Sequence, residues 1–331
     1  MRSYRLEKIG TIDNLVLREE ELPSPGHGQI LVRVRASSIN FRDVAIVSGW
    51  FPWPVQDNRI PLSDGAGEIE AVGPGVNRFK AGDRVANAFY TNWFGGEFRS
   101  FGEQYFTDHD GWLTEYKLVD AEAMVALPDY LTFEEGATLS CAAVTAWSAL
   151  AGIGAGDVVL TQGTGGVSLF AVQLAKALGA QVIATTSSPA KMERLRELGA
   201  DHVIDYKANP EWGAEARALT GGRGIDRIVE VGGPSTLPQS IGAVAPGGQV
   251  SLIGILGGLE QTVDFMSLFI SQARYQPITV GSRFDMEAML RVMVAGAIKP
   301  VIDSSFAFDK VRTAWDHYMA RDLFGKVVIR H

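Results

Sequence analysis

Leu160-Thr161-Gln162-Gly163-Thr164-Gly165-Gly166-Val167-Ser168 is the stretch on which the fold turns. It closes a short β-branched run at 158–161 and opens a segment, 168–178, whose apolar residues recur at helical spacing. A strand, a glycine-rich bend and a helix in this order are the context a dinucleotide fingerprint requires. Gly163 permits the tight turn. Gly165 lets the backbone approach a pyrophosphate, which the N–H groups and dipole of the following helix bind. Thr164, Gly166 and Val167 complete the candidate phosphate cradle, and Ser168 stands where a third glycine is usual, still small enough for helix and strand to pack closely. The bland alternative is an ordinary glycine-rich turn.

Working outward, 181–186, 202–205, 227–231 and 250–255 read as strands, and 190–198 as a helix. The alternation predicts right-handed crossovers and an α/β, doubly wound parallel sheet of Rossmann type. At the end of the second strand, Ala184-Thr185-Thr186-Ser187-Ser188-Pro189-Ala190-Lys191 carries no acid. A carboxylate there would accept hydrogen bonds from a ribose 2′-hydroxyl and repel a 2′-phosphate. Ser187, Ser188 and Lys191, with Arg194 nearby, instead suit the phosphate, so NADPH (NADP+) is favoured over NADH. Ser187 and Ser188 can equally cap the helix beginning at Pro189.

Before Leu127-Pro128 the pattern is different: 29–34, 67–72, 83–88 and 113–119 look like strands punctuated by turns. The tail, with helices at 286–294 and 311–319, an extended piece at 305–308 and a strand at 326–329, need not join the parallel sheet. At 331 residues the chain suits two domains. A net charge of −8 argues against nucleic acid as a partner. No apolar run is long enough to span a bilayer and no secretory signal is visible, so no membrane partner is expected and the cytoplasm is the expected compartment. The single Cys141 permits no internal disulfide and supplies at most one soft metal ligand.

With these residues in hand the chain resembles the medium-chain dehydrogenase/reductase superfamily, and within it the zinc-free, quinone-oxidoreductase-like branch. The resemblance rests on Ala36-Ser37-Ser38-Ile39-Asn40-Phe41-Arg42-Asp43, Gly65-Ala66-Gly67-Glu68-Ile69, Lys80-Ala81-Gly82-Asp83-Arg84-Val85, Ala143-Val144-Thr145-Ala146-Trp147, the glycine turn, Leu198-Gly199-Ala200-Asp201 and Phe324-Gly325-Lys326-Val327-Val328-Ile329. It implies a GroES-like, β-rich catalytic domain at 1–126 and 285–331, a Rossmann domain at 127–284, and a homodimer. Zinc-dependent relatives place a cysteine where Asn40 stands, a His-Glu pair at Ser63-Asp64 and a third ligand near Cys141. One thiol cannot supply the three ligands of a catalytic zinc, so no metal is expected. Asp108, His109 and Asp110 read as a solvated loop.

Hydride transfer leaves charge on an acceptor oxygen, which zinc would stabilise. Quinones and α,β-unsaturated carbonyls spread that charge, so neutral hydrogen-bond donors suffice and such conjugated acceptors are the expected substrates. Asn40 is the candidate donor, unless it bonds only to neighbouring backbone. Arg42 and Asp43 are further catalytic candidates that can equally form an ion pair fixing the loop. Trp50-Phe51-Pro52-Trp53-Pro54 and the aromatics of 89–101 suit a flat acceptor, a lid, core packing or a subunit contact. Tyr90 is the acid required if the protein is instead a zinc-free NAD(P)-dependent alcohol dehydrogenase or carbonyl reductase. A non-catalytic NADPH-binding protein is the third reading. The resemblance adds Thr145, Tyr206, Gly232, Ile253, Gly254, Gly281, Ser282 and Lys326 as cofactor contacts; for each glycine, the alternative is a plain turn.

Overall fold

The computed structural model describes residues 1–258 and 262–331. Residue contacts divide the chain into one unit of Met1–Val144, Val280–Val294 and Lys299–His331 and a second of Thr145–Thr279 and Ala295–Ile298.

The first unit opens with β1 (Arg2–Leu6) and β2 (Leu15–Glu19), paired with each other. Next come β3 (Gln29–Ser38), the helix α1 (Phe41–Val47), β4 (Asp64–Val72), β5 (Arg84–Asn87), β6 (Tyr116–Asp120) and β7 (Met124–Ala126). The short α2 (Phe133–Gly136) and a π-turn (Leu139–Ala143) lead into α3 (Val144–Ala149). In β3 nearly every residue is buried, as expected of a strand at the centre of a sheet. It pairs antiparallel with β4 and β6. Two apolar clusters hold the unit together, one around Ile30, Val32, Ile69, Val85 and Trp112, the other around Leu6, Ile39, Leu113, Trp315 and Val327.

In the second unit, β8 (Val158–Gln162), α4 (Gly166–Ala177), β9 (Gln181–Thr186), α5 (Pro189–Glu197), β10 (His202–Asp205), α6 (Trp212–Ala218), β11 (Ile225–Glu230), α7 (Leu237–Ala243), β12 (Val244–Leu252), α8 (Phe265–Ser271) and β13 (Arg274–Pro277) alternate. The strands form one sheet in the order β10-β9-β8-β11-β12-β13, every neighbouring pair parallel. Sequence order reverses between β8 and β11, the position beyond whose carboxyl ends such sheets bind ligands. The core is aliphatic, with Leu160, Ile183, Ile228 and Val250 from four adjacent strands.

The tail returns to the first unit as α9 (Arg283–Ala295), β14 (Ile302–Ala307), α10 (Val311–Met319) and β15 (Lys326–Arg330). Strand β15 pairs with both β14 and β3, so the first unit's sheet reads β14-β15-β3-β4-β5-β7.

Three expectations shift. The strand expected at 113–119 starts at Tyr116, because Leu113 N–H bonds the Pro61 carbonyl and Thr114 only bridges to Ser3. The contact division falls after Val144 rather than after 126, since α2 packs on β3 and β4, and the π-turn on β4 and β5. Residues 280–284, read as part of the Rossmann domain, lie with the first unit. There Arg283 and Phe284 donate their N–H groups to Trp93 and Phe94, and Arg283 pairs with Glu122.

Gly65, beside Asp64 at the start of β4, has a Trp112 ring atom 2.4 Å from where a Cβ would sit. Both residues are buried and Trp112 is fully enclosed, so neither has room to move. Gly65→Ala is therefore expected to destabilise the protein by about 1–3 kcal/mol through overpacking, read as a lower urea midpoint at unchanged slope.

Candidate active site

Asn40 ends the extended run from β3 and stands at the N-cap of α1. Its backbone N–H donates to Asp43 Oδ2 at 2.8 Å, the half of a capping box that aims the helix. Asp43 is fully buried, and its other oxygen accepts from Ser63 Oγ at 2.5 Å. Burial raises the Asp43 carboxyl to about 6, against the pull of Arg42 and Ser63. Arg42 lies 3.7 Å from Asp43, donates to Ser63 Oγ, to the Tyr105 carbonyl and to Gln104 Oε1, and is sandwiched between the Phe51 and Phe89 rings at 5.3 and 5.0 Å. This is the ion pair expected of Arg42 and Asp43, and it fixes the loop.

The carboxamide of Asn40 faces a second set of groups. Its Nδ2 donates to Asp64 Oδ2 at 2.8 Å, and its Oδ1 accepts from the Lys326 ammonium. Lys326 also donates to the Ile39 carbonyl at 2.9 Å and lies 3.9 Å from Asp64. Asp64 Oδ1 accepts from Ser140 Oγ at 2.5 Å. Ser140 and Cys141 share the π-turn, a local irregularity often found at functional sites. Burial, with the Asp64 charge beside it, pushes the Cys141 thiol far above its ordinary value, so the sulfur stays protonated. Of the amide, hydroxyls, ammonium, thiol and carboxylate gathered here, only Cys141 and Asp64 are of the types zinc takes as ligands, two where a catalytic zinc needs three. Among the described residues no three His, Cys, Asp or Glu side chains gather to hold a metal ion.

Tyr90 is buried, its ring set against Phe89, Trp93 and Phe98. The contacts continue through Phe98–Phe101, Phe101–Trp53 and Trp53–Phe51, so the two aromatic stretches form one wall, with Trp53, Phe98 and Phe101 exposed.

The glycines of the turn in the second unit differ in what their positions require. Gly163 has φ +73°, which disfavours any side chain. Gly165 has φ −78° and ψ 174°, open to any residue, and a Cβ there would meet nothing within 4 Å. Nothing inside the protein requires glycine at 165, as expected where a ligand approaches the backbone. Gly165 is also the N-cap of α4 and makes no side-chain cap, so no capping side chain meets the first N–H groups of this 12-residue helix, the setting in which helix starts bind anions. Ser168 Oγ donates to the Gln162 carbonyl at 2.6 Å, tying helix to strand where the third glycine is missing.

Ser188 is the N-cap of α5 without a side-chain cap bond, and among the described residues neither its hydroxyl nor that of Ser187 has a partner. Lys191 sits in the first turn of α5, and Thr164 in the bend itself. The half-exposed Tyr206 donates its N–H to the Thr186 carbonyl, next to that strand end. Thr145, buried, begins the unit. Ile253 donates its N–H to the Glu230 carbonyl.

Packing already accounts for two candidate glycines. A Cβ on Gly232 would stand 2.3 Å from Thr236, and one on Gly254 2.2 Å from the Val231 carbonyl. Gly281 and Ser282 belong to the first unit, and the Ser282 hydroxyl is engaged with Asp285 at the start of α9. Lys326 belongs to the first unit, where it bonds Asn40.

The sequence reading missed Glu230, fully buried at the end of β11. It accepts from Gln162 at 2.7 Å, from the N–H groups of Gly232 and Gly233 at 3.0 Å, and from Ser240. Gln162 Oε1 in turn accepts from Val231 and Gly232 at 3.2 Å, so the bends after β8 and β11 are tied together at the switch point.

A parallel sheet with a glycine turn between strand and helix, together with a β-rich unit carrying a buried polar cluster, is the architecture of a dinucleotide-dependent oxidoreductase. Residues 26–129 match the family described as "Alcohol dehydrogenase GroES-like domain" and residues 166–295 that described as "Zinc-binding dehydrogenase". A zinc-type alcohol dehydrogenase-like protein of Schizosaccharomyces pombe is 40% identical over 98% of this chain and 97% of its own length. A quinone oxidoreductase of Pseudomonas aeruginosa is 32% identical over 95% of each. Among solved structures, an NAD-dependent alcohol dehydrogenase superposes with TM-score 0.92 at 30% identity over all of both chains. A mycobacterial protein complexed with NADPH does so with TM-score 0.83 at 25% identity, again over all of both. The chain belongs to the medium-chain dehydrogenase/reductase superfamily and is an NAD(P)H-dependent oxidoreductase.

Gly165→Ala separates ligand binding from stability. The variant is expected to unfold within about 0.5 kcal/mol of the parent, since backbone and space both accept the methyl. Calorimetric titration should show NADPH binding at least tenfold weaker. Unchanged affinity would remove the pyrophosphate from this turn.

Proposed function

We propose that the protein is an NADPH-dependent reductase of quinones or α,β-unsaturated carbonyls that works without catalytic zinc. The observation carrying this reading is the arrangement around Asn40, which stands where zinc-dependent relatives place a cysteine: its carboxamide is held between the buried Lys326 ammonium and the Asp64 carboxylate. Such groups stabilise a spread negative charge and suit conjugated acceptors better than isolated carbonyls. The bound dihydronicotinamide supplies the hydride. Residues of the turn, Gly163 to Val167, hold its pyrophosphate, and the free hydroxyls of Ser187 and Ser188 with Lys191 favour the 2′-phosphate. The NADPH complex of the mycobacterial neighbour supports that preference, whereas the NAD-dependent neighbour shows that the fold accommodates either. The aromatic wall from Phe51 to Tyr90 would take the flat face of the acceptor, which arrives as a small molecule.

The names of several relatives favour a second reading, an alcohol dehydrogenase or carbonyl reductase. It would need an acid at the substrate oxygen, and the burial of Tyr90 within the aromatic wall counts against that residue. We place the protein in the cytoplasm. No described helix is long and apolar enough to cross a membrane.

A panel of benzoquinone, an enone, an enal, a simple ketone and an alcohol should separate the readings. Chelator-dialysed protein is expected to oxidise NADPH with the conjugated acceptors at least tenfold faster than with the ketone, and to prefer NADPH to NADH. Metal-dependent turnover of the alcohol would reverse the assignment, and no turnover at all would leave only cofactor binding.

A homodimer is the assembly we propose. Among the described residues the edge strand β13 is unpaired on one side, and α8, which precedes it in the chain, exposes Phe265, Met266, Phe269 and Ile270, an apolar face that a second copy would cover. Sedimentation velocity should give twice the chain mass, and a monomer at micromolar concentration would count against it.

A further inference from the structure

The orientation of the Asn40 carboxamide is settled by chemistry. An ammonium can only donate, so the group facing Lys326 is the carbonyl oxygen, and the amide nitrogen turns to the Asp64 carboxylate. Both charged partners are themselves buried, Lys326 4% exposed and Asp64 fully enclosed, and Asp64 is held from its other side by Ser140. The nitrogen carries two hydrogens. One goes to Asp64; the second has no acceptor among the described residues, although Asn40 is only 6% exposed. Buried donors are almost always satisfied, so a rigidly aimed and unmet N–H marks the place where a bound molecule brings an acceptor.

We propose that Lys326 is the positioning residue of this site: its grip on the Asn40 carbonyl oxygen fixes the carboxamide so that the second N–H meets the substrate oxygen, and its charge polarises that N–H. This rests on the reductase reading and assigns the residue that makes Asn40 effective. A cation at the amide oxygen draws electron density from the nitrogen, so the hydrogen it bears becomes a stronger donor, as happens along any chain of hydrogen bonds headed by a charge. In the reaction the acceptor gains a hydride, with its electron pair, at one end of the conjugated system. The displaced π pair reaches the oxygen, which Asn40 then holds. A proton from water completes the reduction, and the nicotinamide leaves oxidised. Lys326 neither gives up its proton nor touches the acceptor.

Four variants test this: Lys326→Met, Lys326→Gln, Asn40→Ala and the Lys326→Met/Asn40→Ala double. Lys326→Met is expected to lower kcat tenfold to a hundredfold, with the acceptor KM and the NADPH Kd within twofold, and the loss should be larger for an enone than for benzoquinone. Lys326→Gln keeps a donor to Asn40 without the charge, so its kcat should fall between those of the parent and Lys326→Met. It also serves if the methionine variant does not fold. The double variant should be no more than twofold slower than Asn40→Ala alone, because Lys326 acts through Asn40.

A readout free of turnover uses [15N]asparagine-labelled protein. The Asn40 side-chain amide pair, assigned by its loss in Asn40→Ala, should shift in Lys326→Met while the other asparagine pairs stay in place. An unmoved pair, or a double variant whose losses multiply, overturns the proposal, as does a Lys326→Met defect confined to cofactor affinity. Should the parent protein reduce no acceptor, the reductase reading fails, and the amide shift alone decides whether Lys326 holds Asn40.

Discussion

A buried ammonium held between an amide oxygen and a carboxylate ties together parts of the first unit that lie far apart in the chain. Lys326 begins β15, Asn40 follows β3 and Asp64 begins β4, and these three strands are neighbours in one sheet. Isolated charges this deeply buried would cost several kcal/mol each, so the pair persists only because each member is also hydrogen-bonded: Lys326 to Ile39 and Asn40, Asp64 to Asn40 and Ser140. The steric lock between Gly65 and Trp112 holds the same end of β4 from the opposite direction. Polar network and close packing therefore constrain one short piece of backbone, from Ser63 to Gly65, against which the Asn40 loop is set.

The second unit solves a different problem with similar means. A carboxylate, Glu230, is buried, and its hydrogen-bond donors among the described residues are neutral: an amide, hydroxyls and two backbone N–H groups. Through Gln162 it joins the bends that follow β8 and β11. The glycine turn is thus braced from behind, while its front, at Gly165, stays open. Rigidity behind and vacancy ahead are what a phosphate cradle needs, since a cradle that had to be ordered on binding would lose affinity to that ordering.

What could be read from the chain follows sequence distance. The strand–turn–helix signal at 158–178 is local, and so is the strand and helix alternation after it; both appear in the structure within a few residues. The capping role of Ser282 was equally local, because Ser282-Arg283-Phe284-Asp285 has the spacing of a capping box. Asn40 was legible through resemblance. Its partners were not: Lys326 is 286 residues away, and no periodicity reports a contact made by a tail strand returning to β3. Glycines are opaque in the same way, because a sequence does not say whether a missing side chain leaves open space, as at Gly165, or makes room for a neighbour, as at Gly232 and Gly254.

A covalently held ammonium and a bound metal ion differ in what they can do to an oxygen. A divalent ion coordinates the oxygen itself and carries twice the charge. An ammonium that works through an intervening amide delivers less, and delivers it to a single hydrogen bond. A site of this kind handles acceptors whose own π system disperses the arriving pair and is a poor match for a localised alkoxide. Arg42 links that electronic limit to shape, because it bonds Ser63 and Gln104 on one side while lying between Phe51 and Phe89 on the other. The loop that carries the donor and the wall that would receive a flat ring are therefore parts of one packed assembly, and a conjugated planar acceptor of the kind proposed would meet both at once.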